Sequence, residues 1–311
     1  MRLLTIIPPD TSINFISKRK VAFVFSIFLI LVSLGAYIYQ GLNLGIDFRG
    51  GILIEIKTQK IANIEQLRLK LGALGLGEVQ VQKFGDPRDV LIRVQQQDGG
   101  EDAQQKAISI VKNSLDGLVQ EYRRTESVGP TVGAELIRAA VLAVSLALAA
   151  ILIYIWFRFE WQFGVGAVIA LSHDVISTIG LFALTQLEFN LATVAAILTI
   201  AGYSINDTVV IYDRVREELR RYKKLAMPDL FNLALNRTLS RTFLTSVTTL
   251  IALLALTIFG GAIIRDFALA MIWGVLIGTY SSIFIAVPAL MLLKLSRESF
   301  SAESEQEKSP D

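Results

Sequence analysis

Apolar residues in this chain follow two rhythms. Six long runs, at residues 21–39, 136–157, 163–184, 191–212, 243–259 and 267–293, hold almost no charge. About 20 apolar residues wound as a helix cross a hydrocarbon core of ~30 Å. The pattern therefore predicts six membrane spans. The first follows Lys18-Arg19-Lys20. It is too long for a signal peptide and no small-residue cleavage site follows, so it reads as an uncleaved anchor.

Between residues 40 and 133 the rhythm shortens. Residues 52–57 alternate like a strand, and Ile64, Leu67, Leu71 and Leu74 recur at helical spacing before Gly75 and Gly77. Residues 79–84 and 90–95 read as short strands around Gly85-Asp86-Pro87, a turn signal. A second helix is expected over 103–119 and a last strand over 122–128. The order β-α-β-β-α-β matches a ferredoxin-like split unit. The expected fold is an α-helical membrane protein: six transmembrane helices with an α+β ferredoxin-like extracytoplasmic domain between the first and second. The chain then divides into a cytoplasmic N-terminus (1–20), a first helix (21–39), the extracytoplasmic domain (40–133), the five-helix remainder of the membrane domain (134–295) and a disordered cytoplasmic tail (296–311).

Composition supports this division. Of 311 residues 53% are hydrophobic and 19% charged, too apolar for an ordinary soluble domain. Residues 40–133 carry twelve cations and twelve acids, as suits a water-exposed unit. The net charge of +2 gives no signature of nucleic-acid binding. There is no cysteine and one histidine, which excludes disulfides, thiol catalysis and multi-histidine metal sites. No phosphate loop or nucleophile triad is present, so the chain reads as a non-enzyme without cofactor or metal.

Lysine and arginine set the orientation. Lys18, Arg19 and Lys20 hold the N-terminus inside. Arg158 falls in a short cytoplasmic turn, and residues 213–241 hold eight cations against four acids. Lys294 and Arg297 follow the last span, so both termini are expected in the cytoplasm.

Candidate chemistry lies inside the spans. Asp207 sits in the fourth, within Gly202-Tyr203-Ser204-Ile205-Asn206-Asp207-Thr208. An ionisable group at mid-helix costs on the order of 3 kcal/mol on insertion scales, and normally faces a bundle interior. Arg241 opens the fifth span from the same side, and Thr245, Thr248 and Thr249 follow it at helical spacing. A carboxylate opposite a guanidinium can gate protons, because burial and the cation act on it in opposite senses. The plainer reading is a static ion pair, or an arginine that snorkels to the interface. His173-Asp174 lies near the middle of the third span. It reads either as a proton relay or as a hydrogen-bonded pair that fixes helix register. Gly274-x-x-x-Gly278 in the sixth span permits close helix packing. Gly45-Ile46-Asp47-Phe48-Arg49-Gly50-Gly51 is a turn from helix to strand, its glycines free to take positive φ.

Taken in order, these motifs resemble the SecF branch of the SecD/SecF protein-export family, which is related to the resistance-nodulation-division exporters. The resemblance rests on the turn at 45–51 and on Val128-Gly129-Pro130-x-x-Gly133-x-Glu135-Leu136. It continues through Phe157-Arg158-x-Glu160-Trp161, Ala170-Leu171-x-His173-Asp174-Val175, the segments 202–207 and 213–217, and Ser240-Arg241-Thr242. SecD-like chains have a larger external region, place the fourth-span acid where this chain has Asn206, and lack the His-Asp pair. Arg49 departs from the small polar residue usual in SecF-like turns. The resemblance implies an accessory subunit of the Sec translocase in the bacterial plasma membrane. Its implied partners are a SecD-like subunit, the SecYEG channel, unfolded preprotein and protons. Asp207 and Arg241 would be proton-path residues, with Asn206, His173 and Asp174 beside them, while Gly45, Asp47, Gly50 and Gly51 form the structural turn. The alternatives are a proton-driven small-molecule or lipid exporter half-subunit, or a non-conducting scaffold for a SecD-like partner.

Overall fold

The computed structural model describes Pro8, residues 11–293 and Leu295. The expected disordered tail, 296–311, lies outside these residues, as does most of the first ten. Among the described residues six helices are long and apolar enough to cross a membrane. The backbone divides into two units. One holds the described part of Met1–Leu42, Ser145–Leu187 and Ala195–Asp311, and the other holds Asn43–Val144 with Glu188–Val194.

The first unit is helical. Helix α1 (Arg19–Gln40) follows a short 3₁₀ turn at Ile16–Lys18, and α2 (Ile46–Arg49) and two further helices belong to the second unit. Helix α5 (Pro130–Arg158) is shared between the units. Next come α6 (Trp161–Thr185), α7 (Leu191–Arg221) and α8 (Met227–Phe259). Helix α9 (Gly261–Ser281) runs through a π turn, Ser282–Ala286, into α10 (Val287–Leu292). Helices α6, α7 and α9 supply most of the buried positions; α1, α5 and α8 present apolar side chains outward. Outward Leu, Val and Phe are what a lipid-facing helix requires. Near the Arg158 end of α5, Phe159, Phe163, Tyr212, Phe231 and Leu230 close an apolar core.

Two spans differ from the expected bounds. The fourth continues as helix to Arg221 and the fifth begins at Met227, so the basic stretch 213–241 is mostly helix with a short connection. Arg, Glu and Leu are good helix formers, so nothing in 213–221 stops the helix where hydrophobicity ends. The sixth span contains the unforeseen π turn. Pro288 lacks the N–H that an α-helix would direct at Phe284, and a widened turn just before it accommodates the ring. The Ala286 carbonyl accepts from Tyr212 Oη at 3.2 Å, so Tyr212 satisfies a group in the irregular turn.

In the second unit β1 (Gly51–Thr58), α3 (Ile64–Gly72), β2 (Val79–Phe84), β3 (Asp86–Val94), α4 (Gly100–Ser114) and β4 (Val119–Val128) follow in sequence. The sheet order is β2-β3-β1-β4, with every pair antiparallel. Ile52, Ile54 and Ile56 of β1 and Val90, Ile92 and Val94 of β3 pack with Leu67 and Leu71 of α3 and Ala107, Ile108 and Val111 of α4. The helix expected over 103–119 stops at Ser114, because Gly117 turns the chain with φ +75° and Asp116 caps its amide at 3.0 Å. The strand then starts at Val119 rather than 122. Strand β1 is buried on both faces: Leu53 meets Leu91 and Ile46, while Glu55 and Asp89 face Arg123, which pairs with Asp89 at 2.6 Å.

The turn ahead of β1 shows why its glycines sit where they do. Gly51 has φ +111°, and a Cβ there would stand 2.6 Å from the Val94 carbonyl oxygen. A Cβ on Gly45 would meet Glu188 Oε1 at 2.6 Å. Asp47 Oδ2 accepts the Leu191 amide at 2.9 Å, meeting one of the unpaired donors at the start of α7.

Candidate functional site: a buried polar seam

Residues three and four apart share a helix face, and α7 uses this to line one side of a polar seam. Ser204, Asp207 and Thr208 are all buried, at 1%, 4% and 1% exposure. Asp207 Oδ2 has no hydrogen-bond partner. Asn206, one position away, is exposed on the outer surface of the chain.

Helix α8 supplies Arg241, also exposed. It lines a cavity of about 650 Å³ together with Ser240, Thr238, Val210 and Asp213. The structure places Asp207 and Arg241 on neighbouring helices without closing an ion pair between them. The hydroxyls expected to extend a stripe from Arg241 are turned to their own helix. Thr245 Oγ1 donates to the Arg241 carbonyl at 3.1 Å, Thr248 to Leu244 at 2.9 Å and Thr249 to Thr245 at 2.8 Å. The inward polar positions are Thr242 and Ser246 instead. Ser246 Oγ meets Thr279 Oγ1 at 2.7 Å and accepts from Tyr203 Oη at 3.3 Å.

Helix α6 places His173 and Asp174 deep in the unit, at 5% and 0% exposure. Asp174 ties three helices together. Ser204 of α7 donates to its Oδ2 at 2.5 Å, Ser281 of α9 donates to the same atom at 2.7 Å, and His173 Nδ1 lies 3.0 Å from Oδ1. His173 Nε2 has no hydrogen-bond partner, and its ring lies 6.0 Å from that of Tyr280. Tyr280 Oη donates to the Ala22 carbonyl at 2.8 Å and lies 2.9 Å from Ser26 Oγ, which carries the seam to α1. Thr208 and Ser282 share a further hydrogen bond of 2.8 Å.

Sequence reasoning found His173, Asp174 and Asp207 and missed the hydroxyls of α8, α9 and the π turn: Ser246, Thr279, Tyr280, Ser281 and Ser282. A signal was present. Thr279-Tyr280-Ser281-Ser282 is a polar cluster inside an otherwise apolar run, one residue after Gly278. That glycine is what lets the helices meet. A Cβ on Gly278 would lie 3.1 Å from Ser204 Cβ, and one on Gly274 would lie 2.2 Å from Ile200 Cγ1. Gly278→Leu is therefore expected to separate α9 from α7 and break the Ser281–Asp174 bond. The loss should be about 1–3 kcal/mol, visible as a lowered unfolding midpoint in detergent.

Six spans enclosing buried ionisable and hydroxyl groups, with an α+β unit attached, define a multi-pass membrane protein with polar chemistry at membrane depth. Comparison with known proteins narrows this class. Residues 110–296 match the family described as protein export membrane protein SecD/SecF, C-terminal, and residues 40–60 match the SecD/SecF GG motif. The chain is 48% identical over 295 residues to protein translocase subunit SecF of Rickettsia bellii, covering 93% of this chain and 96% of that one. It is 45% identical over 302 residues to the same subunit of Cereibacter sphaeroides, covering 94% and 93%. Among solved structures, the crystal structure of SecDF, a translocon-associated membrane protein from Thermus thermophilus, superposes with a TM-score of 0.84 at 35% identity. A structure of SecDF in a super-membrane-facing form superposes with 0.68 at 34% identity. The matches cover 93% and 95% of this chain, and the chain spans about 40% of each of those solved chains. This chain belongs to the SecD/SecF family, in its SecF branch of protein translocase subunits. It is accordingly a multi-pass bacterial membrane protein with an accessory role in Sec translocation, alongside SecD.

Proposed function

We propose that this chain couples proton movement across the plasma membrane to preprotein translocation, or release, on the outer face. Asp207 carries the reading. It is a carboxylate at 4% exposure on a spanning helix, with one oxygen left without a hydrogen-bond partner. Ionisable groups at membrane depth commonly mark ion pathways and proton relays. In this account Asp207 alternates between protonated and ionised states. Arg241, on the neighbouring helix at the 650 Å³ cavity, biases that exchange. Asn206 stands beside the acid, and His173 and Asp174 offer a second relay through the α6–α7–α9 seam. No cofactor, metal or hydrolytic step is required.

The rest of the architecture follows from this role. Both termini lie in the cytoplasm, and residues 40–133 form the extracytoplasmic domain, supported by the distribution of lysine and arginine. The strand order β2-β3-β1-β4, with a helix in each crossover, supports a ferredoxin-like unit there. That unit belongs to the substrate-handling side, working with a SecD-like partner beside the SecYEG channel on unfolded preprotein. The test applies a proton gradient and a sodium gradient separately to vesicles holding the whole translocase. Preprotein release should respond to the proton gradient alone. Stimulation by sodium alone would contradict the reading.

A further inference from the structure

We propose that Glu218 is a positioning residue for Arg241, a proposal that deepens the proton reading above and rests on it for its functional meaning. Glu218 lies on α7 at 0% exposure. Its Oε1 is held by Arg237 of α8 and by Arg214 Nε at 2.8 Å, while Oε2 has no hydrogen-bond partner. Glu218 comes eleven residues after Asp207. Eleven residues are about three turns and ~16 Å of helix, which returns to nearly the same face. Arg237 precedes Arg241 by one turn on α8. The pairs Glu218/Arg237 and Asp207/Arg241 thus lie along one α7–α8 seam, the first closed and the second open.

A second grip holds the same turns of α8. Asn236 reads both polar groups of one backbone residue: its Oδ1 accepts the Ile13 amide at 2.9 Å, and its Nδ2 donates to the Ile13 carbonyl at 2.8 Å. One turn earlier, Asn232 Oδ1 accepts the Ile16 amide at 3.0 Å and Nδ2 donates to Asn14 Oδ1 at 3.0 Å. Phe15 and Ile16 are buried beside them. The opening of α8 is therefore fixed from two directions, and Arg241 stands one turn beyond the fixed part, exposed at the mouth of the cavity. A buried carboxylate that loses one of its cations is left with an uncompensated charge. The contact therefore tolerates one geometry and sets where α8 carries Arg241.

The chain has no cysteine, so labels can be placed without background. In the complete complex, with a cysteine-free SecD-like partner, spin labels at Val210→Cys and Ser240→Cys report across the cavity. A control pair at Ile169→Cys and Leu276→Cys reports on α6 and α9. Glu218→Gln should shift and broaden the 210–240 distance and leave the control pair unchanged. Glu218→Asp should restore it in part, and gradient-stimulated release should be lost and regained in parallel. Arg237→Lys provides the same test if Glu218→Gln fails to assemble. A wild-type 210–240 distance in Glu218→Gln, or equal disturbance of both pairs, overturns the proposal. A shifted distance together with full activity in Asp207→Asn would count against the proton reading and leave the clamp standing.

Discussion

Asp207→Asn is expected to leave the complex assembled and to remove the gradient-driven stimulation of preprotein release. The two side chains have nearly the same size, so α7 keeps its packing. The unpartnered Oδ2 makes no hydrogen bond that the amide would break. Ser204 and Thr208, the buried neighbours on that face, keep their contacts with Asp174 and Ser282. Stability should therefore change by less than ~1 kcal/mol, as for substitutions outside the disruptive mechanisms. Function should change far more, because an amide cannot carry the proton. A positioned proton carrier contributes about 10²-fold or more, so stimulation should fall by at least that factor or to background. The check is release from vesicles with and without a gradient, beside a pull-down of the partner. Normal stimulation in the variant would remove Asp207 from the mechanism.

Asp174→Ala is expected to fail in the opposite order, by weakening the protein first. Asp174 is fully buried and gathers Ser204, Ser281 and His173 from its own and two other helices. Truncation leaves two hydroxyls and a ring nitrogen facing a void. Removing one partner from a buried charged network costs about 3–5 kcal/mol. Asp174→Asn should cost much less, because an amide oxygen still accepts from both serines. Thermal unfolding of the purified protein in detergent separates the three forms. An Ala variant that melts with the wild type would show that the seam does not tie α6, α7 and α9 together.

The different behaviour expected of these two acids shows what is legible in sequence and what is not. Both are visible as charges inside apolar runs. Only packing tells that Asp174 has three partners and Asp207 an unpartnered oxygen. The six spans are equally visible, because lipid demands long apolar helices. Their ends are less so: α7 runs to Arg221 since helix-forming residues carry it past the apolar stretch. Hydroxyls are the hardest to read. Thr245 and Thr248 look like a polar stripe yet bond to their own helix, whereas Ser204 and Ser281 reach across to Asp174. A serine or threonine in a helix can satisfy itself locally, so its spacing alone does not say which choice it makes. The π turn has a visible cause in Pro288, but its outcome depends on Tyr212 from another helix. In the second unit β1 and β2 lie where the alternation puts them, whereas β3 already begins at Asp86, within the turn read at 85–87, and the end of α4 is decided by Gly117, a position hydrophobic spacing does not weigh.

The seam has fixed and movable parts. Asp174, bonded to Ser204, Ser281 and His173, and Glu218, paired with Arg237 and Arg214, hold helices together. Asp207 closes no ion pair with Arg241, which stands exposed one turn beyond a clamped segment. A proton-driven cycle needs both kinds, because a charge that changes state does useful work only against a frame that stays put.

In the proposed cycle a proton passes by way of Asp207. The most direct measurement is proton flux into liposomes holding the purified complex, followed with an enclosed pH-sensitive dye. It compares the wild type, Asp207→Asn, and a complex in which only the SecD-like partner's intramembrane acid is neutralised. Flux should be lost in Asp207→Asn while the complex remains assembled. Flux that is untouched by Asp207→Asn and abolished only by the change in the partner would contradict the proposed cycle, and would make this chain a scaffold.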